Sequence, residues 1–252
     1  MKSLFAIGLL AAASIGTSAS AGLEPGDTIT VSRIGTAPGR AIRFNYDSNR
    51  MWDDMAMGAD SFGLAGVNTF AVASGAAIHT FCVEMNEGFE DDPIVYDVTT
   101  IDNVPEHNPP GAMTEAKQTI MYDLFARFYS TIGVPGDYEG TWAEASNRAA
   151  AFQLVIWEVS HENFTSDTDA MTGVSEMDLE IGAMAFTDFY DASVYDIAND
   201  MISELGDGGF MAYSQLLGLT NPNNQDMLVV VPSPAIAGLA GLGLAGMRRR
   251  RR

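Results

Sequence analysis

"PEHNPPGAMTEAKQTIMYDLFARFYSTI" (Pro105–Ile132) is where the periodicity of this chain changes. Three prolines and a glycine halt regular structure. Beyond them Ile120, Met121, Leu124, Phe125, Phe128 and Ile132 recur every three or four residues, which puts them on one face of a helix. Thr114 stands where an N-cap belongs. Upstream the runs are short and β-like: 28–34 (TITVSRI), 41–46 (AIRFNY), 68–74 (NTFAVAS), 76–85 (AAIHTFCVEM) and 93–100 (PIVYDVTT), parted by Gly, Pro, Asp and Asn. Downstream the pattern predicts a second helix over about Thr141–His161 and a third over about Ala192–Leu205. A last strand, 226–231 (DMLVVV), follows. There is no internal repeat. Strands first, helices next and one strand back predict an α+β fold. Its parts are an N-terminal antiparallel β-sandwich or barrel, a helical subdomain of about three helices, and a returning C-terminal strand.

The second helix carries "AAAFQLVIWEV" (Ala149–Val159), apolar on all sides, as a buried helix is. Gln153 is its one uncharged polar residue and shares a face with Ala149, Ala150, Ile156 and Trp157. A buried primary amide costs free energy unless its donors and acceptor find partners. Gln153 therefore either has partners elsewhere in the chain or is kept for its chemistry.

Both ends look like addresses. Residues 1–22 (MKSLFAIGLLAAASIGTSASAG) combine Lys2, an apolar run from about Leu4 to Ile15, and Ala19-Ser20-Ala21, the pattern of a cleaved secretory signal. The apolar run is too short for a membrane anchor. At the other end Pro232-Ser233-Pro234 precedes thirteen small or apolar residues, Ala235–Met247, and then Arg248, Arg249, Arg250, Arg251 and Arg252. With the preceding "MLVVVPSP" the stretch approaches the roughly twenty residues that span a bilayer. The arginines mark a cytoplasmic end. A basic tail could also bind nucleic acid, but an exported acidic protein is not expected to meet any.

Without Lys2 and the five terminal arginines, seven basic residues face 33 acidic ones, a net charge of about −26 on 22–231. That excludes nucleic acid and anionic membrane surfaces as expected partners. It suits a solvated extracellular domain. The length, about 210 residues, is that of one domain or two small packed layers.

The three-part tail, Val231–Arg252, resembles the PEP-CTERM sorting signal of exopolysaccharide-making bacteria; Ser233 stands where that motif usually has glutamate. The resemblance implies processing by an exosortase-type membrane enzyme. It also implies transient anchoring in the inner membrane and a final place on the cell surface or in the extracellular matrix.

Cys82 is the single cysteine, so no internal disulfide can form; it is either an inert core residue or a reactive thiol. Strand alternation places it with Thr80 and Glu84, and Phe81 and Val83 on the opposite face. "FCVEM" followed by "AFQLVIWE" resembles the thioester domains of bacterial surface adhesins, and similar pairings occur in exported proteins with PEP-CTERM tails. Phe81-Cys82 matches the first motif, and Gln153, Ile156 and Trp157 match the second. The likeness extends more loosely over Val67–Val231, including "NNQDMLV" before the tail. Phe152 replaces the usual threonine and Val155 the usual alanine. The resemblance implies an internal thioester between Cys82 and Gln153, shielded by Trp157 and attacked by an amine-bearing partner. His161, four residues beyond Trp157, would be placed to handle protons.

Other constellations are thin. His79, His107 and His161 form no spaced metal motif. The acidic runs 49–54, 87–93 and 166–173 read as solvated surface and lack EF-hand spacing; Asp167 and Asp169 are the best calcium candidates among them. No Ser-His-Asp order, phosphate loop or carboxylate pair stands out. The expected function is therefore non-enzymatic, without a cofactor: covalent adhesion through Cys82 and Gln153. The alternative is a matrix or biofilm protein of the same fold without the bond. A secreted hydrolase is the third reading.

Overall fold

The computed structural model describes residues 22–54, 61–73, 75–85, 87–89, 92–189 and 192–231. The proposed signal peptide (1–21) and the tail residues Pro232, Ser233, Pro234 and Arg248–Arg252 lie outside the described residues. Among those described, no helix is long and apolar enough to cross a membrane.

The fold is α+β, as the change of period predicts. Seven antiparallel strands are β1 (Thr28–Tyr46), β2 (Ser61–Val72), β3 (Ala77–Cys82), β4 (Ile94–Thr99), β5 (Met184–Phe189), β6 (Leu216–Thr220) and β7 (Met227–Val230). Their order is β2-β3-β7-β6-β4-β1-β5, and a further β2–β1 pairing turns the sheet into a near-closed ring. Closure leaves few free edges for unwanted pairing.

The sequence runs 28–34 and 41–46 are one strand, not two. β1 continues through Pro38-Gly39, with irregular register between Arg33 and Gly35 and between Thr36 and Gly39. These residues bend the strand instead of ending it. The first half, Thr28–Val31, pairs with β4, and the last part, from Ile42, pairs with β5. At the bend β2 comes so close that a Cβ on Gly66 would overlap Pro38 O and lie 2.6 Å from Gly39 Cα. Two strands return at the C-terminal end, β6 as well as the predicted β7. Ile29, Val31, Phe70, Ile78, Ile94, Tyr96, Val98, Leu219, Met227 and Val229 cluster as the ring's own core.

The helices are α1 (Glu115–Ile132), α2 (Trp142–His161), the short α3 (Ala170–Ser175) and α4 (Ala192–Glu204). Thr114 caps α1 by accepting from Lys117 N. Thr141 opens α2 with a capping box: its hydroxyl accepts from Glu144 N, and Glu144 accepts from Thr141 N at 2.6 Å. From Ala145 to His161 every residue of α2 except Arg148 is buried. The reason is its position: β1, β2 and β3 pack on it from the sheet, and α1 and α4 from the other layer. Phe152 sits 4.9 Å from both Phe81 of β3 and Phe125 of α1, ring centre to ring centre, and so ties three elements together. The aromatic cluster places the next residue, Gln153, against the end of β3.

Candidate functional site

β3 carries Ile78, Thr80 and Cys82 toward one face and Phe81 toward the helices. In antiparallel pairing the backbone groups of successive residues point to opposite edges. Val83 N donates to Asp226 O on the β7 side. The N–H and C=O of Cys82 therefore point to the β2 side. There the β2–β3 register ends at Asn68↔Thr80. Two buried backbone groups would be stranded at this point.

Gln153 fills the gap. Cys82 N donates to Gln153 Oε1 at 3.1 Å, and Gln153 Nε2 donates to Cys82 O at 2.7 Å. The amide acts as one more rung of the sheet, and its orientation is fixed by having to accept from one group and donate to the other. Gln153 is 1% exposed and Cys82 4%. Residues 71 apart in the chain thus meet through two hydrogen bonds in the core.

The thiol has its own partners. It donates to Gln225 Oε1 at 2.8 Å and accepts from Asn68 Nδ2 at 2.9 Å. Gln225 Nε2 in turn donates to Glu84 O. Burial pushes the Cys82 thiol up to about 12, while the Asn68 hydrogen bond pulls the other way. At rest the sulfur is a protonated thiol, not a thiolate. The sequence alone does not single out Asn68 or Gln225. The signals were a polar residue within the apolar run 67–72 and the glutamine of the 223–229 stretch.

A cavity of about 200 Å³ reaches the thiol; Asn68, Cys82, Trp157 and Gln225 line it, and the exposed Phe62 and Leu64 stand at its rim. It is smaller than drug-sized sites of roughly 300–1,000 Å³ and of the order of one amino-acid side chain. Trp157 is almost fully buried between Phe44 and Phe186. Its Nε1 has no hydrogen-bond partner among the described residues. The predicted neighbour Trp157 is therefore at the thiol's cavity, and the predicted neighbour Phe81 backs Cys82 from the helix side.

His161 lies elsewhere. Eight residues beyond Gln153 on α2, it is about 12 Å further along the axis. Its ring stands edge-on to Tyr46 at 4.8 Å, with Nδ1 3.1 Å from Trp157 O. Burial drives its pKa down to about 3. It is a buried neutral histidine away from the Cys82–Gln153 contact. Asp169 spends its carboxylate as the cap of α3, accepting from Met171 N, Thr172 N and Thr172 Oγ1, and Asp167 O accepts from Ala116 N. His79 contacts Thr69 on the face away from the thiol.

One grouping of metal-ligand type occurs among the described residues: Glu84, Glu87 and His107, each offering an atom within 4.8 Å of the others. It joins residues that the sequence leaves separate, because the loop after β4 folds His107 back over the end of β3. Glu84 is buried, which pushes its carboxyl up to about 8, with Asp226 close by adding to the effect.

Set beside known proteins, the chain matches no family model, no curated protein and no solved structure.

Proposed function

We propose that this chain is an exported surface or matrix protein whose Cys82–Gln153 pair forms an internal thioester for covalent attachment to an amine-bearing partner. What supports this reading above all is the double hydrogen bond that joins the only cysteine to the buried glutamine. The PEP-CTERM-like tail and the signal-like N-terminus supply the export, sorting and inner-membrane steps of the proposal.

The chemistry runs as follows. Cys82 Sγ adds to Gln153 Cδ, and negative charge gathers on Oε1. The Cys82 N–H already donates to that oxygen, so an oxyanion donor is in place before charge develops. The tetrahedral intermediate expels Nε2 as ammonia, which carries away the thiol proton, and an S–C(=O) bond remains. An amide resists attack, so the reaction depends on the two groups being held together by strand and helix. Asn68 Nδ2 stabilises negative charge on the sulfur during the attack. A primary amine entering the cavity then attacks the same carbon, forms an amide with Gln153, and returns Cys82 to the thiol.

The non-covalent matrix protein remains the second reading, favoured by one observation. Gln153 already satisfies both Cys82 backbone groups, a sufficient structural reason for a glutamine there. Incubation of the exported protein with a biotin-linked primary amine separates the two. The covalent reading predicts label on Gln153 of the wild type and none on Cys82→Ala. No label on either would leave the matrix reading.

A further inference from the structure

Two residues beyond Cys82 the chain builds a second arrangement that the thioester reading does not use. Glu84 is 0% exposed. Its Oε1 is committed, accepting from Asp226 N at 2.7 Å. Its Oε2 is buried and has no hydrogen-bond partner among the described residues. That oxygen faces His107, whose Nδ1 lies 3.8 Å away, while His107 Nε2 lies 3.3 Å from Glu87 Oε1. Glu87 Oε2 and His107 Nδ1 also have no hydrogen-bond partner among the described residues. Three side chains thus converge, the two carboxylates facing opposite nitrogens of His107, and one atom of each is buried without a hydrogen-bond partner among the described residues. A buried carboxyl oxygen with no donor is expensive unless a proton or a metal cation meets it, and a bound cation takes the proton's place. Asp226, the other acid beside Glu84, has both oxygens occupied by Asn221 N and Glu106 N, so it does not compete.

We propose that Glu84, Glu87 and His107 form a binding site for a divalent transition-metal ion of the zinc class. Two carboxylate oxygens and one imidazole nitrogen are borderline ligands: calcium and magnesium prefer oxygen alone, whereas zinc takes mixed N/O sets. Ligands about 2.0–2.2 Å from a tetrahedral zinc lie roughly 3.3–3.6 Å from one another. The cluster needs to close by about an ångström to reach that. The movable members allow it, since the His107 side chain is 38% exposed and that of Glu87 22%. Their exposure also gives the ion an entry path and leaves its fourth position to water. Glu84 is the fixed member, held by Asp226 N on one oxygen and by Gln225 on its backbone carbonyl. The site stands independently of the thioester, because Cys82 is not among its ligands.

Calorimetric titration of the full, chelator-stripped protein with Zn²⁺ tests this. One zinc per chain is expected, with affinity at least about tenfold weaker in Glu84→Gln and in His107→Ala and unchanged in Cys82→Ala. Co²⁺ should give the visible absorption of a low-coordinate site in the wild type and lose it in His107→Ala, whose partly exposed position spares the fold. Absence of zinc uptake by the wild type would overturn the proposal. So would equal binding by His107→Ala, or loss of binding in Cys82→Ala.

Discussion

Before any reaction Gln153 is stabilising, because its amide completes the hydrogen bonding of β3 where β2 turns away. Replacing it by alanine strands the N–H and C=O of Cys82 in the core, at about 1–3 kcal/mol for each group. Measured by denaturant unfolding in a Cys82→Ala background, where no cross-link contributes, Gln153→Ala should cost about 2–6 kcal/mol. A cost below about 0.5 kcal/mol, typical of surface substitutions, would mean that the amide is not a rung of the sheet. At this scale the sequence is informative about residue types and poor about partners. A lone glutamine in an apolar helix announces a polar contact, and Cys82 was legible as one end of it through motif resemblance. Asn68, Gln225 and the turn of Glu84 toward His107 were not, because each depends on which strands lie side by side. His161 shows the converse: proximity in sequence to Trp157 suggested the site, yet two turns of helix carry it away.

The elements with a strong period were legible nearly to the residue. α1 begins at its predicted cap, Thr114, and α2 within a residue of its predicted start at Thr141, since a threonine placed before an apolar repeat satisfies orphan N–H groups wherever the helix later docks. The sequence pattern does not predict β5, β6 or α3. They are five or six residues long and owe their form to the neighbours they pair with. The sequence pattern divides β1 into two strands because Pro38-Gly39 signals a break in isolation, whereas in the sheet it makes a bend. The junction of α1, α2 and β5 also gathers titratable groups. Lys117 Nζ donates to Ser160 O, and burial lowers its pKa to about 8. Burial raises Glu158 and Glu162, and Glu162 accepts from Ala183 N. Beside them His161 is held near 3, well below its usual 6.5. Its folded pKa is depressed, so the unfolded chain takes the proton first, and the stability that its neutral form gives above 6.5 is lost as pH falls toward 3. Glu158 and Glu162 act with the opposite sign, favouring the fold as they gain protons. The difference between wild type and His161→Phe isolates the histidine. Between about pH 6 and pH 4 the wild type should lose on the order of 1 kcal/mol per pH unit more than the variant. Parallel unfolding profiles would contradict this assignment.

At the scale of the whole molecule, the order of strands, helices and returning strand was readable as α+β, since that follows from local periods alone. The closing of the ring was not. It rests on pairings such as Cys82↔Met227 and Val31↔Ile94, whose partners are far apart in the chain and carry no local signal. That closure nevertheless sets the site: β7 brings Gln225 to the thiol, and the β2–β3 pairing, ending at Asn68↔Thr80, leaves the edge of β3 to Gln153. The proposed purpose of this arrangement is a bond between Cys82 and Gln153. The most direct test is the intact mass of the exported protein, purified without added amines, beside a Cys82→Ala control. A thioester makes the wild type lighter than its sequence by one ammonia and leaves the control at full mass. Full mass for both, with a wild-type thiol that alkylates readily once unfolded, would contradict it.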